Sequence, residues 1–148
     1  MALLSARTVA LALALLALFA SARAGAEPVL IVHPSCPVSR LSGDEARKLL
    51  LGEDRSWSNG DIAQLVEVRG EDAAVNAGYL AIARKTPSQI RSEWNRLVFS
   101  GRANPPLRFN TAAEVRAAVS GLPGAFAVID SSAADASVKI VFRASGKG

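Results

Sequence analysis

The chain has 148 residues, half of them hydrophobic, and its 17 lysines and arginines against 13 acidic residues give a formal charge of +4. This length predicts a single domain. The single cysteine excludes an intramolecular disulfide and any zinc site built on two or more cysteines. The single histidine excludes every two-histidine metal motif.

The first 26 residues have the pattern of an export signal. A short segment ending at Arg7 precedes the apolar run Val9–Ala20, whose 12 residues fit a signal sequence. This run falls short of the roughly 20 residues that a membrane-spanning helix needs. Small residues follow it, and we expect cleavage after Ala26 and a periplasmic protein. The alternative is an uncleaved membrane anchor.

The predicted mature chain, residues 27–148, has an ordinary globular composition. About 44 % of it is hydrophobic and its charge is +2, because the signal holds 20 hydrophobic residues and two arginines. It contains no basic run or basic–aromatic stripe of the kind that binds nucleic acid, and no second apolar run of spanning length. We therefore expect no nucleic-acid partner and no membrane insertion after cleavage.

The mature chain begins with a strand, a helix and a second strand. Val29–Val32 is a continuous apolar run, which predicts a strand buried on both faces, as in parallel sheets. Ser42–Glu45 forms a capping box that begins a helix, and Gly52 ends this helix. Leu65–Val68 predicts the second strand.

Two helices and a loop follow. The spacing of small and apolar residues predicts a helix over Glu71–Ala83. Thr86 and Gln89 form a second capping box with Pro87 in the first turn. The helix that they begin carries one apolar stripe and ends at Gly101; the stripe consists of Ile90, Trp94, Leu97 and Val98. Two adjacent prolines predict that Arg102–Asn110 has no regular structure.

The last part of the chain predicts a helix and two strands. Thr111–Glu114 forms a third capping box, and Gly121 ends the helix that it begins. Ala125–Ile129 is a third, wholly apolar strand, whereas Val138–Phe142 alternates and predicts an edge strand with one face in solvent. The order β-α-β-α-α-α-β-β predicts an α/β fold with a mostly parallel sheet flanked by helices.

The candidate binding residues are Arg69 and Gly70. In open α/β sheets, ligands bind beyond the carboxyl ends of the strands, where helix N-termini present N–H groups. Three places meet this description: the loop after Val32, the turn after Val68 and the turn after Ile129. The turn after Val68 joins a strand to a helix through the guanidinium of Arg69 and through Gly70, so this turn predicts a small-anion site.

Two acidic residues next to this turn oppose anion binding. A carboxylate about 4 Å from the ligand would cost about 4 kcal/mol at an effective dielectric constant near 20. The alternative interpretation is therefore that Arg69 is a solvated turn residue or pairs with Glu71 or Asp72.

The sequence carries no recognisable enzyme motif. It lacks the G-x-S-x-G, phosphate-loop and H-E-x-x-H patterns. His33 and Cys36 form an H-x-x-C pair, which supplies two metal ligands without a third. Cys36 is expected to be a free thiol unless it pairs with another chain. We therefore predict a non-catalytic protein with no cofactor and no metal.

Several motifs resemble a known family in their order and spacing. Residues 29–60, with Val-Leu-Ile-Val-His-Pro, Leu41-Ser42, Leu51-Gly52 and Trp57, resemble the second lobe of periplasmic phosphate-binding proteins, the type II solute-binding components of phosphate ABC transporters. Leu122–Val128 is similar to the "pGaIGYv" strand of that family. Trp94–Arg102, followed by Pro105-Pro106, resembles a motif of small one-lobe exported members.

The resemblance covers residues 28–143 and implies a single lobe of the periplasmic-binding-protein fold, type II. It also implies a small anion such as phosphate and an ABC transporter permease as partners. In the phosphate binders an arginine is followed by Gly-Ser-Gly-Thr, which holds the anion. Here Arg69 matches, but Gly70-Glu71-Asp72-Ala73-Ala74 stands in that place, and the first lobe is absent.

Two functions from different classes follow. The first is a solute-binding-protein-like module for phosphate or a similar oxyanion. Because one lobe offers an open face, tight capture needs a partner or a second copy, as in a homodimer. The second is a periplasmic interaction or accessory module that has lost small-ligand binding. It predicts an exposed apolar patch near Trp57 or on the helix of Trp94, although Trp94 has the spacing of a core residue.

Overall fold

The computed structural model describes residues 26–144, which form five strands and four helices. Residues 1–25, which hold the predicted signal except for Ala26, lie outside this range, as do residues 145–148. The elements in chain order are β1 (Pro28–Val32), α1 (Gly43–Leu50), β2 (Gln64–Val68), α2 (Ala73–Ala83), α3 (Pro87–Phe99), β3 (Leu107–Phe109), α4 (Ala112–Gly121), β4 (Ala125–Asp130) and β5 (Lys139–Arg143).

The five strands form one mixed sheet in the order β3-β2-β4-β1-β5. Strand β2 is parallel to both β3 and β4, whereas β1 is antiparallel to both β4 and β5. The predicted α/β fold with flanking helices is confirmed, but the sheet is only partly parallel. The prediction failed here because β1 is buried by helices on both faces of the sheet, and double burial does not depend on strand direction.

Strand β3 lies where the sequence predicted an irregular loop. Its residues Leu107–Phe109 pair in parallel with Val66–Val68 of β2. The two prolines stand immediately before this strand, and β3 is an edge strand, so the missing proline N–H groups remove no ladder hydrogen bond. The expectation that Arg102–Asn110 has no regular structure is therefore wrong for its last part. The predicted edge position of β5 is confirmed.

The local signals for helix starts are largely confirmed. Both reciprocal hydrogen bonds of the capping boxes Ser42/Glu45 and Thr86/Gln89 are present. The third box is half formed: Thr111 accepts from the Glu114 amide, but the Glu114 carboxylate accepts from the amide of Asn110. Helix α2 begins two residues later than predicted, because the side chain of Asp72 caps it by accepting from the Val75 amide.

The core has two layers of side chains, one on each face of the sheet. Helices α1, α2 and α3 cover one face and α4 covers the other. Leu30 and Val32 of β1 point to the first layer, and Val29 and Ile31 to the second. A strand with this arrangement has no face left for solvent, which explains its uninterrupted apolar sequence.

Gly78 allows helix α2 to approach the sheet closely. A Cβ atom at this position would lie 2.5 Å from Cγ1 of Val128 and 2.9 Å from Cβ of Pro28. We expect Gly78→Ala to lower the free energy of unfolding by about 1–3 kcal/mol through overpacking, although alanine is the better helix former by about 1 kcal/mol. Urea denaturation measures the effect.

The matched control is Gly43→Ala in the first turn of α1, where no atom lies within 4 Å of the added Cβ. This variant is expected to be neutral or slightly stabilising. A gain in stability for Gly78→Ala comparable to that for Gly43→Ala would contradict the close approach of α2 to the sheet.

Candidate functional site

Arg69 and Gly70 follow β2 at its carboxyl end. The backbone amide of Arg69 donates to the carbonyl oxygen of Phe109 at 2.7 Å, which continues the pairing with β3 beyond the last strand residue. Nη1 of Arg69 lies 3.4 Å from Oδ1 of Asn110. Gly70 has a φ of +74°, a backbone conformation that favours glycine. The exposed guanidinium therefore lies beside the ends of β2 and β3.

The three loops named as possible binding places do not all lie at the same end of the sheet. Strands β2 and β4 are parallel, so the turn after Ile129 lies at the same end of the sheet as Arg69. Strand β1 is antiparallel to β4, and its carboxyl end after Val32 is therefore at the opposite end. His33 and Cys36 follow β1 and are consequently remote from the candidate site.

The two acidic residues beside Arg69 have other partners. The Asp72 carboxylate accepts from the Val75 amide at 3.0 Å, and the Glu71 carboxylate accepts from Nδ2 of Asn76 at 3.0 Å. Within residues 26–144 neither acid forms an ion pair with Arg69, which instead contacts Asn110. Asp72 therefore already occupies one of the amides in the first turn of α2.

A buried polar network lies beneath this edge. Glu67 of β2 is only 5 % exposed, and among residues 26–144 it is the one charged side chain in the buried interior. Its Oε1 accepts from the Tyr79 hydroxyl at 2.8 Å, and its Oε2 accepts from Nε of Arg108 at 3.3 Å. Burial, and then the Glu67 charge, raise the pKa of Tyr79 well above its ordinary value of 10. Both effects favour the protonated phenol, which donates to Glu67.

Two grooves flank Arg69 and Gly70. The first has a volume of about 470 Å³ and lies between β3 and α3; it is lined by Arg69, Asn95, Pro105, Pro106, Leu107, Arg108 and Phe109. The second has about 400 Å³ and is lined by Gly70, Glu71, Asn76, Leu80, Thr86, Pro87, Ser88 and Arg91. The first groove contains two guanidinium groups and no acidic side chain, whereas the second contains both charges.

The sequence points to Arg69 and Gly70 as candidates but not to Glu67, Tyr79 and Arg108, which the structure joins in one hydrogen-bonded network. One signal was present, since a glutamate inside an apolar strand needs a buried partner. Arg69 follows β2 directly and continues its pairing with β3, so it shares a face with Glu67 two residues earlier. Arg108 carries no local signal, because its strand has only three residues and follows two prolines.

The remaining polar candidates have structural partners. Nδ1 of His33 lies 2.7 Å from Oγ of Ser35. Cys36 is buried, and this burial raises the pKa of its thiol above the ordinary value. Nζ of Lys139 donates to the Cys36 carbonyl oxygen at 2.7 Å. In the described part of the chain, no three side chains among histidines, cysteines and acids come together to hold a metal ion.

Exposed apolar surface is present on the helix of Trp94, but neither tryptophan contributes to it. Trp57 and Trp94 are both buried, so they are core residues. On the helix of Trp94, the exposed large apolar residue is Phe99, which is 96 % exposed at the end of α3. No helix found between residues 26 and 144 combines the length and the apolar character that crossing a bilayer requires.

A mixed five-stranded sheet with helices on both faces is an α/β fold. This fold is similar to that of solved phosphate ABC transporter substrate-binding proteins. No protein-family model matches the sequence. No curated protein sequence matches it significantly.

Three solved structures illustrate the likeness. One is an ABC-type phosphate transport receptor from Vibrio cholerae, with a TM-score of 0.53, 14 % identity and 78 % of this chain covered. The second is a provisionally assigned phosphate ABC transporter substrate-binding protein from Clostridium perfringens with bound phosphate, with a TM-score of 0.62, 16 % identity and 79 % covered. The third is PstS from Borrelia burgdorferi, with a TM-score of 0.55, 12 % identity and 79 % covered.

The chain spans less than half of the length of these structures, namely 45 %, 45 % and 47 % of each. At such low sequence identity the likeness concerns the fold. The chain thus has the architecture of about one half of a phosphate-binding protein, which agrees with the single lobe expected from the sequence motifs.

Proposed function

We propose that this protein is an exported, non-catalytic, solute-binding-protein-like module that binds phosphate or a similar small oxyanion. The observation that carries the proposal is the exposed Arg69 guanidinium at the carboxyl ends of β2 and β3, within a fold shared with phosphate-binding proteins. Arg69 supplies the charge, and Gly70 keeps the adjoining backbone accessible. Residues 1–26 act as the signal, with cleavage after Ala26 and a periplasmic destination.

The length of the chain bears on how an anion would be retained. Two-lobed binding proteins close around their ligand by a hinge motion, and this chain spans less than half of the structures that it matches. We propose that the second wall of the site comes from another protein, either an ABC transporter permease or a second copy of this chain. On this proposal the isolated module binds its anion weakly.

Calorimetric titration of the chain without residues 1–26 with inorganic phosphate tests the proposal. We expect measurable binding that is weakened about tenfold to a hundredfold in Arg69→Ala, because a hydrogen bond to a charged group contributes about 1.5–3 kcal/mol. Arg143→Ala is the matched control, since this arginine is on β5 at the far edge of the sheet. No heat at millimolar phosphate, or equal binding by Arg69→Ala, would refute it.

An accessory interaction module without small-ligand binding is the second candidate. It is favoured by Asp72, whose side chain takes the first-turn position that the Gly-Ser-Gly-Thr motif leaves open to an anion. It is also favoured by Phe99, which presents an apolar ring to solvent. This candidate predicts a titration without heat for every oxyanion tested, together with concentration-dependent sedimentation that weakens in Phe99→Ala.

A further inference from the structure

The Arg108 guanidinium is hydrogen-bonded at Nε and, within the described part of the chain, unbonded at its two terminal amino groups. Its Nε donates to Oε2 of Glu67 at 3.3 Å, and its side chain is 37 % exposed. Among residues 26–144 its two terminal amino groups have no hydrogen-bond acceptor. A guanidinium fixed in this way presents a parallel pair of N–H donors, which is the arrangement that binds two oxygens of one oxyanion.

The carboxylate behind Arg108 is itself fixed. Glu67 is 5 % exposed, and its second oxygen accepts from the hydroxyl of Tyr79. Both oxygens are therefore occupied, and the carboxylate has little freedom to rotate. A buried ion pair contributes little to net stability, since loss of hydration offsets the attraction. Fold stability alone thus gives weak reason for a charged pair at this position, whereas orientation of the guanidinium gives a direct one.

Strand pairing brings Arg108 to the same groove as Arg69. Arg108 is the direct neighbour of Glu67 in the parallel β2–β3 pair. Arg69 follows Glu67 by two residues and so lies on the same face of the sheet. Both arginines line the groove of about 470 Å³ between β3 and α3, together with Asn95, whose amide can donate a further hydrogen bond.

The charges around the two grooves favour anion binding in the groove lined by Arg69 and Arg108. No acidic side chain is among its described lining residues. Glu67, which accepts from Arg108, is buried. The neighbouring groove at Gly70 contains the carboxylate of Glu71. An anion near that carboxylate would be repelled by its negative charge.

We propose that Arg108 is a second anion-binding residue and that Glu67, supported by Tyr79, is its positioning residue. The ligand is an oxyanion with at least two acceptor oxygens on one centre, bound in the groove between β3 and α3 and bridged by Arg69 and Arg108. This inference rests on the proposed function. It puts the anion beside the edge strand and away from the N-terminus of α2, where Asp72 is the cap.

Arginine modification of the unaltered protein tests this assignment directly. Phenylglyoxal reacts with accessible guanidinium groups, and peptide mass spectrometry gives the rate at each arginine with and without inorganic phosphate. We expect phosphate to slow the modification of Arg69 and Arg108 severalfold and to leave that of Arg143 unchanged. Sulfate at the same ionic strength is expected to protect the same two residues, whereas chloride is not.

Variants measure the same assignment by affinity. Arg108→Lys keeps the charge next to Glu67 but loses the paired donors, so we expect it to bind phosphate about tenfold more weakly. Glu67→Gln keeps the shape but loosens Arg108, and a smaller loss of a few fold is expected. Arg143→Lys should not change the affinity. Urea denaturation of each variant separates a loss of binding from a loss of fold.

The failures of the two proposals are distinguishable. Protection of Arg69 without protection of Arg108, with Arg108→Lys binding as tightly as the unaltered chain, would overturn the role of Arg108 and leave the proposed function standing. Absence of both phosphate binding and protection would overturn both. The modification experiment needs no variant, so it decides the matter even if Arg108→Lys fails to fold.

Discussion

Replacing Trp94 with alanine is expected to lower the free energy of unfolding by about 3–5 kcal/mol. Trp94 is 2 % exposed and belongs to the core layer on the face of the sheet that α1, α2 and α3 cover. Its Nε1 donates to the carbonyl oxygen of Leu50, the last residue of α1, at 2.8 Å. The substitution therefore removes a large buried ring and also leaves a buried carbonyl group without its donor. Urea denaturation followed by circular dichroism measures the loss.

Two further variants divide this effect into its parts. Trp94→Phe retains most of the apolar ring but not the N–H group, so its loss should be smaller, at about 1–3 kcal/mol. Phe99→Ala changes an aromatic residue on the same helix that is 96 % exposed, and it should stay within about 0.5 kcal/mol of the unaltered chain. Equal stability of Trp94→Ala and Phe99→Ala would show that Trp94 is not a core residue.

The second large effect is expected at Gly124, in the turn before β4. Its φ is +87°, and a Cβ atom there would lie 2.2 Å from the carbonyl oxygen of Ile62. The Gly124 carbonyl oxygen also accepts from the Gln64 amide and from Nε1 of Trp57. Because backbone atoms cannot move aside without displacing the start of β2, Gly124→Ala should cost about 2–5 kcal/mol of unfolding free energy.

Gly60 offers a matched control for backbone conformation. Its φ of +89° is nearly the same, but no atom lies within 4 Å of an added Cβ. Gly60→Ala should therefore show only the cost of the left-handed conformation, about 1–2 kcal/mol. The difference between the two variants measures the close approach of Gly124 to Ile62. Equal losses in both variants would mean that the turn before β4 relaxes to accept a side chain.

The helices could be predicted from the sequence because their signals are local. A capping residue, its partner three positions later and a final glycine are read within one short segment, as at Ser42, Glu45 and Gly52. The strands were also located correctly where they are long and apolar. The direction of β1 could not be predicted, because it depends on pairing with β4, which follows nearly a hundred residues later.

The candidate site likewise contains residues that the sequence indicates and residues that only the structure reveals. Arg69 and Gly70 follow a predicted strand directly, so their position at its carboxyl end was accessible to sequence reasoning. The network of Glu67, Tyr79 and Arg108 joins three elements, and its ion pair links residues 41 positions apart. Such a contact is fixed by the pairing of β2 with a three-residue edge strand. A strand this short has no periodicity that a sequence pattern can reveal.

The position of β1 in the sheet has a consequence for how the chain folds. The first strand lies between the last two, β4 and β5, and the Ala144 amide donates to the Pro28 carbonyl oxygen at 2.9 Å. The sheet therefore cannot be completed until the C-terminal strands are available, and these contacts close a loop of about a hundred residues. Topologies with such a high contact order fold slowly.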